Sequence, residues 1–314
     1  MSVKLGVVMD PLESINPKKD STLAMMAAAQ RKGWQIVTME QSDIFVSNGE
    51  VYGRTKQIVI SENESDWFKV VEENTFALSE LNAILMRKDP PFDMEYIYTT
   101  YFLEMVESTG TLVLNKPGSI RDCNEKLFAL QFPECCPPHL VSRDAQTLRG
   151  FHQEHGDVIF KPLDGMGGTS IFRIKPDDPN LSVIIETLTD NGSVQIMAQK
   201  FIPDIKQGDL RILLINGEPV PYGLARIPAK GETRGNLAAG GTGVARPLND
   251  RDRFICEQVG PALKERGLYF VGIDVIGDYL TEINVTCPTC IREIDKAYDL
   301  DIAGDYMNFI ETLL

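Results

Sequence analysis

The stretch from Phe160 to Ile174, FKPLDGMGGTSIFRI, constrains this chain more than any other. Two apolar runs flank a turn with three glycines, and Lys161 stands at the end of the first run. Glycines permit positive φ and let backbone N–H groups approach an anion with no side chain in the way. Lys161 adds a compact positive charge. The stretch therefore reads as a phosphate flap made by Gly165, Gly167 and Gly168, although a plain hairpin whose glycines only solve turn geometry has the same composition. The spacing is not that of a P-loop, and no G-x-x-x-x-G-K-[ST] occurs in the chain.

The partner lies downstream, in GIDVIGDYLTEINVT. Asp274 is expected on one strand and Glu282 and Asn284 on the next, across a turn at Gly277-Asp278. Residues two apart on a strand share a face, so Glu282 and Asn284 point together and Asp274 can lie opposite them. Carboxylate and amide oxygens converging from a hairpin suit Mg²⁺, which takes its remaining ligands from phosphate and water. The competing reading is a polar, solvent-facing sheet. The apolar neighbours Ile273, Val275, Ile283 and Val285 argue instead for a wall with its other face buried. Flap and hairpin together imply a nucleoside triphosphate held through its metal.

At 314 residues the chain exceeds one ordinary core. A formal net charge of -14 argues against nucleic acid and anionic membrane as partners. No segment approaches the ~20 apolar residues of a membrane span. The start reads as a buried strand rather than an export signal, and six scattered cysteines do not suggest a disulfide framework. A cytoplasmic location is expected.

Residues 3–9 read as a strand, and STLAMMAAAQRKG as a helix capped by Ser21 and closed by Gly33. WQIVTM, NAILMR and TLVLN continue an alternation that predicts a parallel sheet up to about residue 120. No G-x-G-x-x-G follows the first strand. SIRDCNEKLFALQF reads as one helix, followed by the strands VIFKPL, SIFRI and VQIMAQKFI around the helix LSVIIETLTDNG. DLRILLINGEPVPYGLARI reads as a hairpin turned at Asn216-Gly217. A glycine-rich loop, a helix, two strands and a last helix complete the chain.

The motifs KPLDGMGG, ARIP…GETRGNLAAGG, TEINVTCPTCIREI, LMRKDPPFD and NKPGSIRDCNEK, taken together, resemble bacterial glutathione synthetase, from the first strand through the last helix. The resemblance implies an α/β chain of the ATP-grasp fold: an N-terminal parallel-sheet α/β domain (1–122), then two α+β subdomains (123–202 and 203–314) sandwiching the nucleotide. It implies ATP-dependent C–N ligation of γ-glutamyl-cysteine and glycine through an acyl phosphate, the second step of glutathione biosynthesis. Mg²⁺ is implied as two ions, with Mn²⁺ as an alternative, and the assembly as a homo-oligomer, usually a tetramer.

The site residues follow from the same resemblance. Lys126 and Lys161 match phosphate-binding lysines. Gln199, Lys200, Phe201 and Ile202 match the hinge that holds the adenine, and Asp209 also falls on the cofactor side. Asp274, Glu282 and Asn284 match the metal ligands. Arg211, Arg226 and Arg234 match catalytic arginines; Arg87, Asp89, Asn236, Cys287 and Arg292 match substrate contacts, with serine more usual than cysteine at 287. Ile227 to Gly243, with five glycines and the central Arg234, then reads as a lid that keeps water from the acyl phosphate. A plain surface loop is the alternative.

Cys287 and Cys290 form a lone C-x-x-C, weak as a zinc or redox signal without a second pair; a reversible, inhibitory disulfide between them is one hypothesis. Cys135 and Cys136 are expected on a surface connection. His152 and His155, spaced i, i+3, are expected to be solvated, since zinc needs three or four ligands. Other ATP-grasp amino-acid ligases, and a non-catalytic ATP-binding module, share the fold. Complete metal ligands and a lid favour the enzyme.

Overall fold

The computed structural model of the chain describes residues 2–61, 63–165, 167–232, 234–235 and 240–314. Three sheets follow one another along the sequence. In the first, β1 (Lys4–Val8), α1 (Ser21–Arg31), β2 (Gln35–Met39), β3 (Ile44–Ser47), β4 (Glu50–Ile60), β5 (Phe68–Ala77), β6 (Ala83–Met86), α2 (Met94–Glu107) and β7 (Leu112–Leu114) succeed one another. The strands β2, β1, β6 and β7 pair in parallel, as the alternation of strands and helices requires. The sheet then continues through antiparallel β3, β4 and β5, which the sequence reading passes over.

The helix α1 is capped by Asp20, whose carboxylate accepts from Leu23 N (2.6 Å), and not by Ser21. Ser21 is buried, and its Oγ accepts from Ile291 N, which ties α1 to the C-terminal region. After α3 (Pro117–Asp122) the expected long helix stops. Asn124 Oδ1 accepts from both Lys126 N and Leu127 N (3.0 Å each), and this local turn replaces the helical ladder. A short 3₁₀ turn over Phe128–Gln131 follows.

The second sheet holds β8 (His139–Ser142), α4 (Ala145–His155), β9 (Val158–Pro162), β10 (Phe172–Ile174), α5 (Leu181–Leu188) and β11 (Ile196–Lys200), in the strand order β10-β9-β11-β8. Its core, with Leu148, Phe160, Ile174 and Ile196, is separate from the others. The third sheet holds β12 (Asp209–Ile215), β13 (Glu218–Ile227), β14 (Thr242–Pro247), β15 (Phe270–Ile276) and β16 (Tyr279–Asn284) in the order β14-β13-β12-β15-β16, with α6 (Asp250–Glu265), α7 (Ile291–Tyr298) and α8 (Ile302–Glu311). Asn216 and Gly217 both have positive φ at the β12–β13 turn, as that turn type demands.

One continuous core joins the first and third sheets, with α1, α7 and α8 packed between Leu5, Val7, Leu213 and Phe270. Cys135 and Cys136 lie in the core on the other face of the third sheet and are not on the surface, because Leu280 N binds the Cys135 carbonyl (2.8 Å) and draws that segment onto β16. His152 is likewise buried, its Nε2 donating to the Lys175 carbonyl (3.0 Å), while His155 stacks edge-on against Phe151.

Candidate active site

The second and third sheets face each other across a cleft of about 350 Å³. Lys161 reaches it from the end of β9 and is buried. Lys126, on the turn that Asn124 makes, is buried just behind the lining, and its Nζ donates to two lining residues, to the Gly165 carbonyl (2.9 Å) and to the Glu125 carboxylate. Glu282, on the edge strand β16, faces both cations: its Oε1 lies 3.5 Å from Lys126 Nζ and 3.7 Å from Lys161 Nζ. Ile283 N binds the Glu125 carbonyl (2.8 Å), so the turn carrying Lys126 is fastened to that edge. Burial pulls the Lys161 ammonium below its ordinary pKa. Burial would do the same to Lys126, but Glu282 and Glu125 outweigh it and raise the group. Glu125 is pushed up to about 7 by burial and by the neighbouring Glu282, against the pull of Lys126.

A second charge cluster lies on the third sheet. Arg211 on β12 is the register partner of Asp274 on β15, and Asp209 that of Arg226 on β13. Arg211 grips Asp274 through Nε (2.5 Å) and NH2 (3.0 Å), and Arg226 NH2 adds a contact to Oδ2 (3.0 Å) while donating to Asp209 Oδ2 (2.5 Å). Burial alone would raise the Asp274 carboxyl, yet the two guanidiniums hold it well below the usual carboxylate range. Asp209, which meets Arg226 but also feels the charge of Asp274, is pushed up to about 7 by burial. Its buried Oδ1 has no hydrogen-bond donor among the described residues.

The three oxygen donors expected from the late hairpin do come together. Asp274 is the direct partner of Glu282 across β15–β16, Asn284 lies on the same face, and Asn284 Nδ2 donates to Asp274 Oδ2 (3.3 Å). Among the described residues no three His, Cys, Asp or Glu side chains form a metal cage of their own. Two carboxylates and one amide nevertheless fit a hard cation that brings phosphate and water as its other ligands. Glu282 and Asn284 are the more available donors, since both Asp274 oxygens already serve the arginines.

Gly165, Gly167 and Gly168 line the cleft. Gly167 and Gly168 have positive φ, and a Cβ at Gly165 would meet Pro162 Cγ at 2.7 Å, so this turn needs glycine for conformation and for space. The apolar part of the lining comes from Ile159, Ile171, Phe201, Ile202, Ile205 and Ile276, and Gln199 and Lys200 line the cleft too. Such a lining, part charged and part apolar, suits a nucleotide.

Asp89, Arg234 and Cys287 also line the cleft. Arg234 pairs with Glu232 (2.9 Å), and Cys287 Sγ donates to the Arg87 carbonyl (3.1 Å). Arg87 itself is buried behind that wall, donating to Thr22 Oγ1 (3.1 Å) and the Pro288 carbonyl (2.9 Å). Arg292 donates from Nε to the Asp20 carbonyl (2.9 Å), away from the cleft lining. Asn236 and part of the expected lid lie outside the described residues. Cys287 and Cys290 are free thiols, both pushed up by burial.

Glu125, Thr281, Thr286 and Thr289 line the cleft without having been singled out from the sequence, and Cys290, read there only as half of a C-x-x-C, lines it as well. Thr286 was within reach, because it extends the alternation of Glu282 and Asn284 by one more step. Glu125 was not, because its position depends on a helix ending where Asn124 ends it.

Comparison with known proteins bears on the whole chain. Residues 3–121 match the family model described as prokaryotic glutathione synthetase, N-terminal domain, and residues 125–299 that described as prokaryotic glutathione synthetase, ATP-grasp domain. A glutathione synthetase of Pseudomonas syringae pv. tomato is 62% identical over 314 residues, covering 100% of this chain and 98% of that one. One of Vibrio cholerae serotype O1 is 61% identical, covering 99% and 98%. Among solved structures, D-cycloserine synthetase DcsG superposes with a TM-score of 0.68 at 14% identity, covering 97% of each chain. The ATP-grasp ligase PsnB complexed with minimal precursor superposes with a TM-score of 0.65 at 16% identity, covering 100% of each. At those identities the two structures speak for the fold.

Proposed function

The chain belongs to the prokaryotic glutathione synthetase family, and from that membership we infer that the cleft between its second and third sheets is where it does the family's work. The protein is an ATP-dependent C–N ligase of the ATP-grasp fold that joins γ-glutamyl-cysteine to glycine, releasing ADP and phosphate. A carboxylate is a poor acyl donor. Phosphorylation by ATP turns it into an acyl phosphate, which glycine's amine attacks before phosphate leaves.

Little covalent chemistry is asked of the side chains; they position and neutralise. Lys126 and Lys161 present ammonium charge at the mouth of the glycine turn, where phosphate oxygens replace Glu125 and Glu282 as their partners. Gln199 to Ile202 hold the base in the apolar part of the cleft. Arg211 and Arg226 offer planar forks to the negative charge that grows during transfer, and Asp274 and Asp209 hold those forks in place. Arg234 closes over the acyl phosphate and excludes water. Asp89 and Cys287 border the peptide end, and Arg87, Arg292 and Asn236 complete the substrate contacts. Glu282 and Asn284, with Asp274, would hold Mg²⁺, in one or two ions with Mn²⁺ as a substitute; when bound, it supplies charge neutralisation at the phosphates.

The observation that carries this reading is the meeting of two lysines and two arginines with four carboxylates in one cleft beside a glycine turn. The three-part division at 122 and 202 fits it, placing one boundary at each change of sheet. A cytoplasmic location fits the six free cysteines. For a homotetramer we point to α2, whose Met94, Tyr98, Tyr101 and Met105 are exposed at helical spacing and offer an apolar stripe to a second copy. Light scattering on the purified protein decides that point.

The test of function is ADP release with γ-glutamyl-cysteine, ATP, Mg²⁺ and glycine, omitting each in turn. Glutathione should form only with all four. Turnover without γ-glutamyl-cysteine, or with another acid in its place at equal rate, overturns the substrate assignment.

A further inference from the structure

Phe201 belongs to the apolar part of the cleft lining, and its ring is covered by a residue that does not line the cleft. The Arg173 guanidinium, from the edge strand β10, lies 3.5 Å from the Phe201 ring centroid. Arg173 Nε and NH2 donate to the two oxygens of Asp157 (2.9 and 2.6 Å), and the Asp157 carbonyl accepts from Phe201 N (3.0 Å). Asp157 therefore fixes both the backbone that carries the ring and the cation that covers it. Phe201 borders the cleft and Arg173 does not, so the guanidinium covers the ring from outside the cleft lining. Only arginine can stack its plane on an aromatic face while forking a carboxylate. An exposed ion pair alone contributes little to stability, so a closed trio at this place calls for another role.

We propose that Arg173, anchored by Asp157, is a positioning residue for nucleotide recognition: it fixes the Phe201 ring as a wall of the base pocket and so sets ATP affinity and purine discrimination without touching the nucleotide. The inference rests on reading this part of the cleft as the base site. It extends that reading to two residues outside the cleft lining.

The experiment compares Arg173→Met, Arg173→Lys, Asp157→Asn and Phe201→Leu in the full-length protein, measuring kcat and KM for ATP, γ-glutamyl-cysteine and glycine, and the ratio of kcat/KM for ATP over GTP. Arg173→Met should raise KM for ATP about 2- to 5-fold, the range of a cation–π contact at a partly exposed site. It should lower the ATP/GTP ratio, leaving kcat and the other two KM values within about twofold. Arg173→Lys should resemble it, Asp157→Asn should fall between, and Arg173→Met should add nothing in a chain already carrying Phe201→Leu. If Phe201→Leu raises KM for ATP but no Arg173 or Asp157 variant does, the positioning role is overturned and the base site stands. Should Phe201→Leu leave KM for ATP unchanged as well, the base-site reading fails with it. A lowered melting temperature with all three KM values unmoved assigns the trio to structure alone. Were Arg173→Met not to fold, the Asp157→Asn result would decide by the same criteria.

Discussion

The cleft holds two sets of charges with the same inventory, two cations and two carboxylates, built in opposite ways. In the arginine set, Arg211 and Arg226 grip Asp274 and Asp209 through contacts of 2.5 to 3.0 Å, on adjacent strands and in register. In the lysine set, Glu282 stands 3.5 and 3.7 Å from two ammonium groups that come from different elements, and the one close contact joins Lys126 to Glu125, its neighbour in sequence. A fork binding in pairs is a fixed frame; a point charge on a flexible stem can exchange one anion for another. The arginine set is thus suited to hold geometry, and the lysine set to give up its carboxylates to incoming phosphate.

The sharpest way to break this comparison is to remove one member of each set. Asp274→Ala leaves two buried guanidiniums short of a counter-ion, and the expected loss is about 3–5 kcal/mol in urea unfolding, together with activity. Lys161→Met removes a cation that burial already disfavours. It should cost clearly less stability than Asp274→Ala, because Glu282 keeps Lys126 as a partner, while weakening ATP binding by about 10-fold or more, as the loss of a charge-assisted contact would. Similar stability losses in the two variants would abolish the distinction.

Glu282 is the next target, since it faces both lysines and shares the hairpin with Asp274. Glu282→Ala should cut turnover by about 100-fold with a far smaller effect on the melting temperature, and near-normal rates at saturating Mg²⁺ would count against its role as a metal ligand. A milder change is expected at Arg234, which belongs to neither set and, among the described residues, pairs with the nearby Glu232. Arg234→Ala should raise ATP hydrolysis relative to ligation by a few-fold, measured as phosphate released per glutathione formed. An unchanged ratio contradicts the water-excluding role.

The comparison also explains what could be read in advance. The arginine set lies on strands, and strands declare themselves by period: Asp274, with Glu282 and Asn284 on the same hairpin, follows from alternation plus one turn, whereas Asp209, Arg211 and Arg226 rest on the family resemblance. The lysine set depends on where a helix stops. Nothing in SIRDCNEKLFALQF but Asn124 ends it, and asparagine side chains that bond their own backbone are common in many settings. Hence Lys126 was recovered only through family resemblance, and Glu125 not at all. The hairpin from β3 to β4 had its own signal, Asn48-Gly49 between apolar residues, with both φ values positive. The parallel alternation on either side masks that signal in the sequence. His152 and Cys135 were misplaced for a third reason. Their burial is decided by contacts with Lys175 and Leu280, far along the chain.

A carboxyl with neither a fork nor a lysine gripping it supplies the smallest and cleanest contrast. Asp295 on α7 accepts from Ile302 N (3.1 Å), and burial pushes its pKa up to about 6 from an ordinary 3.8. Asp274, though more deeply buried, moves the other way because two guanidiniums face it. For Asp295 the folded chain therefore binds its proton more tightly than the unfolded chain does. The stability this contributes is complete below about pH 4 and is lost as pH rises through about 6. Asparagine keeps the oxygen that Ile302 N needs and removes the titration. At pH 8 Asp295→Asn should melt about 1–2 °C higher than the wild type, a modest figure because the half-buried group is screened by solvent. Toward pH 4.5 the difference should shrink to nothing. A gain that persists unchanged at low pH would mean that the substitution acts through packing or helix propensity and not through charge, and the contrast with Asp274 would then have to rest on the arginines alone.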